Sequence, residues 1–279
     1  MTDANDDIAQ AEARMKQLRE QLTASPVVDV LGVVSPSGVG GGRVPPEELW
    51  TLRFTFDAWR VQGGKLQTKA LNIQRQVTDE ELRRFQDALE PYMVVRIKAH
   101  VLENSVLGLP QALLEKVIGV DTSDPELNDK AAELQKPVTF SDPTLGTFTL
   151  DRRVSWFTTK PVWLGNPISL SLSATEPEEI QNALKTAHTL WDAQKTWAQR
   201  IDDYAAEELL SLKNESWLGK EESELTPDQF KARMTLDAIT IYPDGSFEFW
   251  HDDGDLFCGH AIQVSGDIVN GLTDAGIHG

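Results

Sequence analysis

The chain has 279 residues, 40% of them hydrophobic and 25% charged, with 44 acidic against 26 basic side chains and a formal net charge of −18. At roughly 100–200 residues per domain, that is one large or two modest domains with enough chain to bury a core. No apolar run reaches the ~18 residues that a membrane-spanning helix needs, and so acidic a chain is a poor partner for free nucleic acid, which binds clustered Lys and Arg.

The opening MTDANDDIAQ is polar and acidic, unlike a signal or transit peptide. Cys258 is the single cysteine and has no internal partner, which points to a reducing, cytoplasmic setting. The charge is uneven: net −2 over 1–25, −3 over 26–136 and −13 over 137–279, where six of the eight tryptophans also lie. The expected organisation is an amphipathic helical extension (1–25), a small β-barrel-like domain (26–123), a helical connector (124–136) and an acidic, Trp-rich α+β domain (137–279).

In chain order, Ile8, Ala11, Met15, Leu18 and Leu22 fall at a/d spacing in a helix over 5–24. That stripe suits either docking on its own protein or a short coiled coil that oligomerises. VVDVLGVV (27–34) reads as a strand, SPSGVGGGRVPP (35–46) as a flexible loop, LWTLRFTFDAW (49–59) as an alternating strand and ALNIQRQV (70–77) as a third. Thr78 and Glu81 form a capping box opening a helix that buries Leu82, Phe85 and Leu89. MVVRIKAHVLE (93–103) is a fourth strand, and ALLEKVIG (112–119) is a fifth strand or a short helix. This element order is that of a small barrel of the oligonucleotide/oligosaccharide-binding (OB) type. DPELNDKAAELQKP (124–137) is a helix with Pro125 in its first turn.

The C-terminal half opens with short β segments. Thr175 and Glu178 suggest a capping box before a long helical region with an apolar stripe from Ile180 to Leu209, interrupted at Gln194. Thr226 and Gln229 form another box. A β-meander follows, with turns at Pro243–Gly245 and Asp252–Asp255. The expected fold class is therefore α+β: an N-terminal barrel, then a domain with a long helix and a C-terminal antiparallel meander.

The densest run of chemistry-bearing residues is HDDGDLFCGH (251–260). As a metal set, His251, Asp253, Asp255 and His260 are natural ligand types. If Asp252–Asp255 is a four-residue turn, His251 faces Leu256, Phe249 faces Cys258 and Phe247 faces His260. The two histidines then stand ~13 Å apart at ~3.3 Å per residue, too far for one metal. In that register Cys258 sits mid-strand on an apolar face, a poor place for a nucleophile. SGVGGGR (37–43) is not a phosphate loop, because Arg43-Val44-Pro45 follows where GK[ST] is required. No cofactor motif is present, so neither metal nor cofactor is expected.

FSDPTLGTFTLDRRVSWF (140–157), VWLGNPISLSL (162–172), Asn214, Trp217, LTPDQF, ITIYPDGSFEFW (239–250) and DGDLFCGHAI (253–262) resemble a bacterial family, the domain of unknown function 2262. The most specific part is the DGDLF-x-GH-x-I string, carried by Gly254, Phe257, Gly259 and His260, with Trp250 ending the hairpin before it. The resemblance implies a bacterial cytosolic protein and supplies no catalytic residues.

Three functions compete. The leading one is a non-catalytic binding or interaction protein. One form of it is immunity-like, meeting a basic toxin through Asp252, Asp253, Asp255, Glu221, Glu222 and Glu224. The second is an enzyme with an inter-domain pocket using His251 or His260 with carboxylates. The third is a single-stranded nucleic-acid or oligosaccharide binder using the barrel around Arg53, Arg75 and Arg96, with Trp50, Trp59 and Phe54 as aromatic surfaces or, more simply, core.

Overall fold

Strand alternation places Leu52, Phe54 and Phe56 on one side of a strand and Thr51, Arg53 and Thr55 on the other. In the computed structural model, which describes residues 3–220 and 222–279, that first set lines the inside of a closed barrel. The chain divides into two compact units, residues 1–136 and 137–279. No helix among the described residues is long and apolar enough to cross a membrane.

The first unit runs α1 (Asp3–Ala24), β1 (Val27–Val34), β2 (Gly40–Gly42), β3 (Trp50–Val61), β4 (Leu71–Val77), α2 (Asp79–Ala88), β5 (Val94–Leu102), β6 (Gln111–Val120) and α3 (Pro125–Leu134). Five strands close a ring: β1 pairs with β3, β3 with β4, β4 in parallel with β6, β6 with β5, and β5 back with β1. With a helix between the third and fourth barrel strands, this is the OB barrel. Closure leaves no free edge. The segment 112–119 is thus strand. The glycine-rich loop at 35–46 also contains β2, which pairs with β3, so it is not structureless.

From Val30 to Val34 the first strand carries no polar side chain because both of its faces are covered. Val30 and Val34 point into the barrel, while Leu31 and Val33 pack outside with Ala58, Val94, Leu127 and Ala131. α3 is therefore part of the barrel unit's packing. The expected capping box forms at Thr78 and Glu81, and Leu82 and Leu89 are buried in the barrel cluster. Leu18 and Leu22 of α1 are buried where that helix packs on β5 and β6; the side chain of Ile8 lies outside the described residues.

Among the glycines of the barrel unit, Gly32 leaves the least room for a side chain. A Cβ there would lie 2.1 Å from the Phe56 ring, which is itself fully buried. Gly32→Ala is therefore expected to destabilise the protein by about 1–3 kcal/mol through overpacking. An unchanged urea midpoint would show that the ring moves freely aside.

The second unit runs β7 (Thr139–Asp142), β8 (Gly146–Asp151), β9 (Trp156–Thr159), β10 (Val162–Trp163), β11 (Asn166–Pro167), β12 (Ser169–Leu172), α4 (Pro177–Asp192), α5 (Gln194–Ser216), α6 (Pro227–Lys231), β13 (Thr235–Ile241), β14 (Ser246–Asp252), β15 (Ala261–Asp267) and β16 (Gly271–His278). Eight strands form one sheet in the order β16-β15-β14-β13-β12-β9-β8-β7. Only β12 and β13 run parallel, and the three helices supply the crossover that a parallel pair requires. Ala187, Leu190, Trp197, Ile201 and Ala205 pack with Ile239, Phe247, Phe249 and Val264 in one core.

The long helical region breaks at Ala193, whose φ −124° and ψ 32° leave the helix. This accounts for the interruption at Gln194, whose side chain accepts from the Leu164 N–H. The box expected at Thr175 does not form. The N-cap is Glu176, without a side-chain cap, and Pro177 opens the helix instead. The box at Thr226 and Gln229 forms as expected.

The last hairpin differs from its expected register. His251 pairs with Ile262 and Phe249 with Val264, so residues 253–260 make an eight-residue connection. Cys258 is exposed in that loop with φ 58°, not mid-strand on an apolar face, and His260 lies off the sheet. The buried Leu256 and Phe257 imitate strand positions in the sequence, which is why the loop reads as strand.

Candidate functional site

The outward side chains of β3 and β4 make a polar floor. Arg53 stands opposite Gln74, Thr51 opposite Gln76 and Thr55 opposite Asn72. Gln76 donates to the Thr51 hydroxyl at 2.9 Å, and Arg75 donates to the Glu115 carbonyl at 2.7 Å. α1 forms one wall with Lys16 and Arg19, and the loop after β2 brings Arg43, Val44 and Glu47. Together these enclose a cleft of about 880 Å³. A second hollow of about 420 Å³ shares Met15, Arg53 and Gln74 with it, so the depression continues along the β3–β4 face.

Five cationic side chains, Lys16, Arg19, Arg43, Arg53 and Arg75, line the larger cleft with one carboxylate, Glu47. Among the described residues none of the five forms an ion pair within 4 Å. Arg43 instead lies over the half-buried Trp50, 4.9 Å from the ring centroid. Trp59 and Phe54 are buried core. Of the three arginines expected to mark a groove, Arg53 and Arg75 belong to this cleft. Arg96 pairs with Asp121 at 2.6 Å and does not line it. Hydrogen bonds from Ser123, then from Arg96, pull the Asp121 carboxyl down to about 2. Sequence reasoning missed Lys16, Arg19 and Arg43, because a helix, a loop and two strands converge only after the barrel closes.

In the second unit the DGDLF-x-GH string is internal scaffolding. Asp253 is 2% exposed. Its carboxylate accepts from the backbone N–H groups of Asp255 (3.1 Å), Phe257 (2.6 Å) and Gly259 (3.1 Å). Gly254 has φ +51°, and a Cβ there would sit 2.3 Å from the Arg233 carbonyl oxygen. Arg233 donates to the Gly254 carbonyl at 2.8 Å and to Glu222 at 2.7 Å. Glu222 also accepts from Lys213 at 2.6 Å, and that lysine is 1% exposed. These partners, with Lys213 the largest influence, hold the Glu222 carboxyl down at about 2.

Asn214 and Leu225 exchange two hydrogen bonds. Trp217 meets Phe257 and His260 edge-on at 5.7 and 5.5 Å, and the His260 Nδ1 bonds the Phe257 carbonyl. Trp250 donates to Glu248 and borders His278.

Of the six acids expected to meet a basic partner, Asp253 and Glu222 are thus turned inward to the protein's own donors. Glu221 lies outside the described residues, and Asp252, Asp255 and Glu224 are exposed. No three His, Cys, Asp or Glu side chains converge as a metal-ligand set among the described residues.

Residues 142–277 match the family model "Uncharacterized protein conserved in bacteria (DUF2262)". The C-terminal half is therefore similar to that family. The string that carries the DUF2262 resemblance is the hydrogen-bonded knot around Asp253. Residues 15–134 match a second model, "Domain of unknown function (DUF7021)". A search of curated proteins finds no match. Among solved structures, a crystal structure of wild-type single-stranded DNA binding protein from Thermus aquaticus aligns at 10% identity. It covers 52% of this chain and 72% of that one, with a TM-score of 0.25. The barrel assignment rests on the strand pairings above.

Proposed function

We propose that this is a non-catalytic binding protein whose barrel takes a short anionic polymer, single-stranded nucleic acid, in the cleft on β3 and β4. The observation that carries the reading is the set of five cations that form no ion pair within 4 Å among the described residues, around an open, continuous depression. The second and third strands of an OB barrel are the face on which such ligands lie. The chain's net charge opposes binding, but charges farther than about 10 Å away are largely screened at 0.1 M salt. The local excess of cations then decides the outcome.

The test is fluorescence anisotropy of a labelled oligothymidylate against salt. Binding is expected at low salt, falling with a log–log slope of about −0.7 for each phosphate neutralised. Arg53→Ala and Arg75→Ala should each flatten that slope by roughly that amount. No rise in anisotropy at low salt, or equal binding by the arginine variants, defeats the reading.

A second reading concerns the acidic unit. Asp252 and Asp255 point outward on either side of the inward Asp253, which leaves them, with Glu224, for a basic partner such as a cationic toxin. A reducing cytoplasm suits the exposed, unpaired Cys258. Affinity capture from the native host with wild type and an Asp252→Asn/Asp255→Asn variant tests this. Recovery of the same proteins by both removes it.

A further inference from the structure

In the second unit the small β10–β11 hairpin, α5 and the strands β13 and β14 enclose a cavity of about 270 Å³. Trp163, Ile168, Ile201 and Phe249, all buried, supply apolar wall. Two ionisable side chains line it, Asp202 and His251, and no lysine or arginine does. His251 reaches this place by strand alternation, since Phe247, Phe249 and His251 share the buried side of β14. Every lining residue belongs to the C-terminal unit.

Both polar groups lack the same kind of partner. His251 is 4% exposed, and its Nδ1 has no hydrogen-bond partner among the described residues. Burial holds the ring neutral, with its pKa down at about 4 against a small opposing effect of the Ile262 carbonyl. A neutral imidazole keeps one nitrogen as an acceptor. Asp202 makes no ion pair among the described residues. The cation it feels, Lys231, is engaged with Asp203 at 2.8 Å and Asp228 at 3.2 Å. Burial, then the neighbouring Asp203, raises the Asp202 carboxyl to about 6.

An acceptor nitrogen and a carboxylate with no ion-pair partner among the described residues, set among aromatic and aliphatic walls, select a donor-bearing cation with an apolar body. An anion would meet Asp202 with no compensating charge. We propose that this cavity is a binding site for a small organic amine. Its ammonium pairs with Asp202, its hydrocarbon or single-ring body lies against Trp163 and Phe249, and the Nδ1 of His251 accepts a hydrogen bond from it. The cavity volume suits a one-ring molecule and is below the usual range for drug-sized ligands.

The experiment is calorimetric titration of the full chain, at a pH above the raised Asp202 value, with three probes of like shape: 2-phenylethylammonium, 2-phenylethanol and 3-phenylpropionate. The His251 ring resonances are followed by NMR in parallel. The amine is expected to bind at least about tenfold more tightly than the carboxylate and to shift the His251 signals. Asp202→Asn removes a poorly solvated charge, so it should keep the fold and lose about tenfold in amine affinity. Equal affinity for amine and acid overturns the proposal. So does no binding of the amine, or undiminished amine binding by a folded Asp202→Asn variant.

Discussion

Replacing Asp253 by alanine is expected to cost about 3 kcal/mol or more and to lower the melting temperature on the order of 10 °C. The reason is arithmetic on donors. One buried carboxylate accepts from the N–H groups of Asp255, Phe257 and Gly259, and an alanine leaves all three without that acceptor. Hydrogen bonds to a charged group contribute roughly 1.5–3 kcal/mol each, and a buried donor left unmet costs about 1–3 kcal/mol. These effects do not add fully, because the loop relaxes toward solvent. Asp253→Asn keeps one oxygen and should lose less. Gly254→Ala should approach the alanine effect by another route, through its positive φ and the Arg233 carbonyl 2.3 Å from any Cβ. Thermal unfolding followed by circular dichroism measures all three. An Asp253→Ala protein within about 0.5 kcal/mol of wild type would show that the loop contributes nothing to the fold.

This knot explains why the most conspicuous string in the chain misleads. Acids, a cysteine and two histidines in ten residues have the composition of a chemical site. Yet a carboxylate two to six residues before a set of loop N–H groups is also what a wide, ordered connection needs. The two uses share residue types, and only the loop length separates them. Leu256 and Phe257 concealed that length, being as buried as strand residues while lying outside any strand.

The barrel was more legible, because its signals are local and repeat. Alternation in β3, the Thr78–Glu81 box and the apolar β1 each report one element, and the order of elements selects the ring of pairings. The cleft was half legible. Arg53 stands on the polar side of a strand whose faces can be read off. Arg75 instead pairs with the inward Leu52 and falls in the same alternation as the buried Ile73 and Val77, so alternation alone does not put it in the cleft. Lys16, Arg19 and Arg43 come from a helix and a loop whose placement depends on the closed barrel. Segment charge hid them: Lys16 and Arg19 are counted in the net-negative 1–25 extension, and a sum over 26–136 averages Arg43, Arg53 and Arg75 with the outer surface, where Arg60 meets Asp124, Arg96 meets Asp121 and Lys98 meets Asp29. The Asp202–His251 cavity was legible only in part. His251 stood out as a histidine on an apolar face, but nothing local in the sequence ties it to a carboxylate some fifty positions earlier on α5.

The second large effect is expected at Glu222, and its pH dependence has a definite sign. Its carboxyl titrates at about 2 in the folded protein against an ordinary 4.5. A carboxyl depressed by folding contributes stability that is complete above its unfolded value and is lost as pH falls through the folded one. The stability gap between wild type and Glu222→Gln should therefore be constant from neutral pH to about 5 and narrow from there toward pH 2. At neutral pH the glutamine leaves Lys213, 1% exposed, without its counter-charge. Removing one member of such a pair costs more than removing both. Lys213→Met in the Glu222→Gln background should thus recover part of the stability lost in the single variant, although Arg233 keeps a second cation beside residue 222. A gap that stays constant down to pH 3 contradicts the titration argument. A double variant less stable than Glu222→Gln alone contradicts the account of the buried ammonium, and the two failures are separable because one is read against pH and the other at neutral pH.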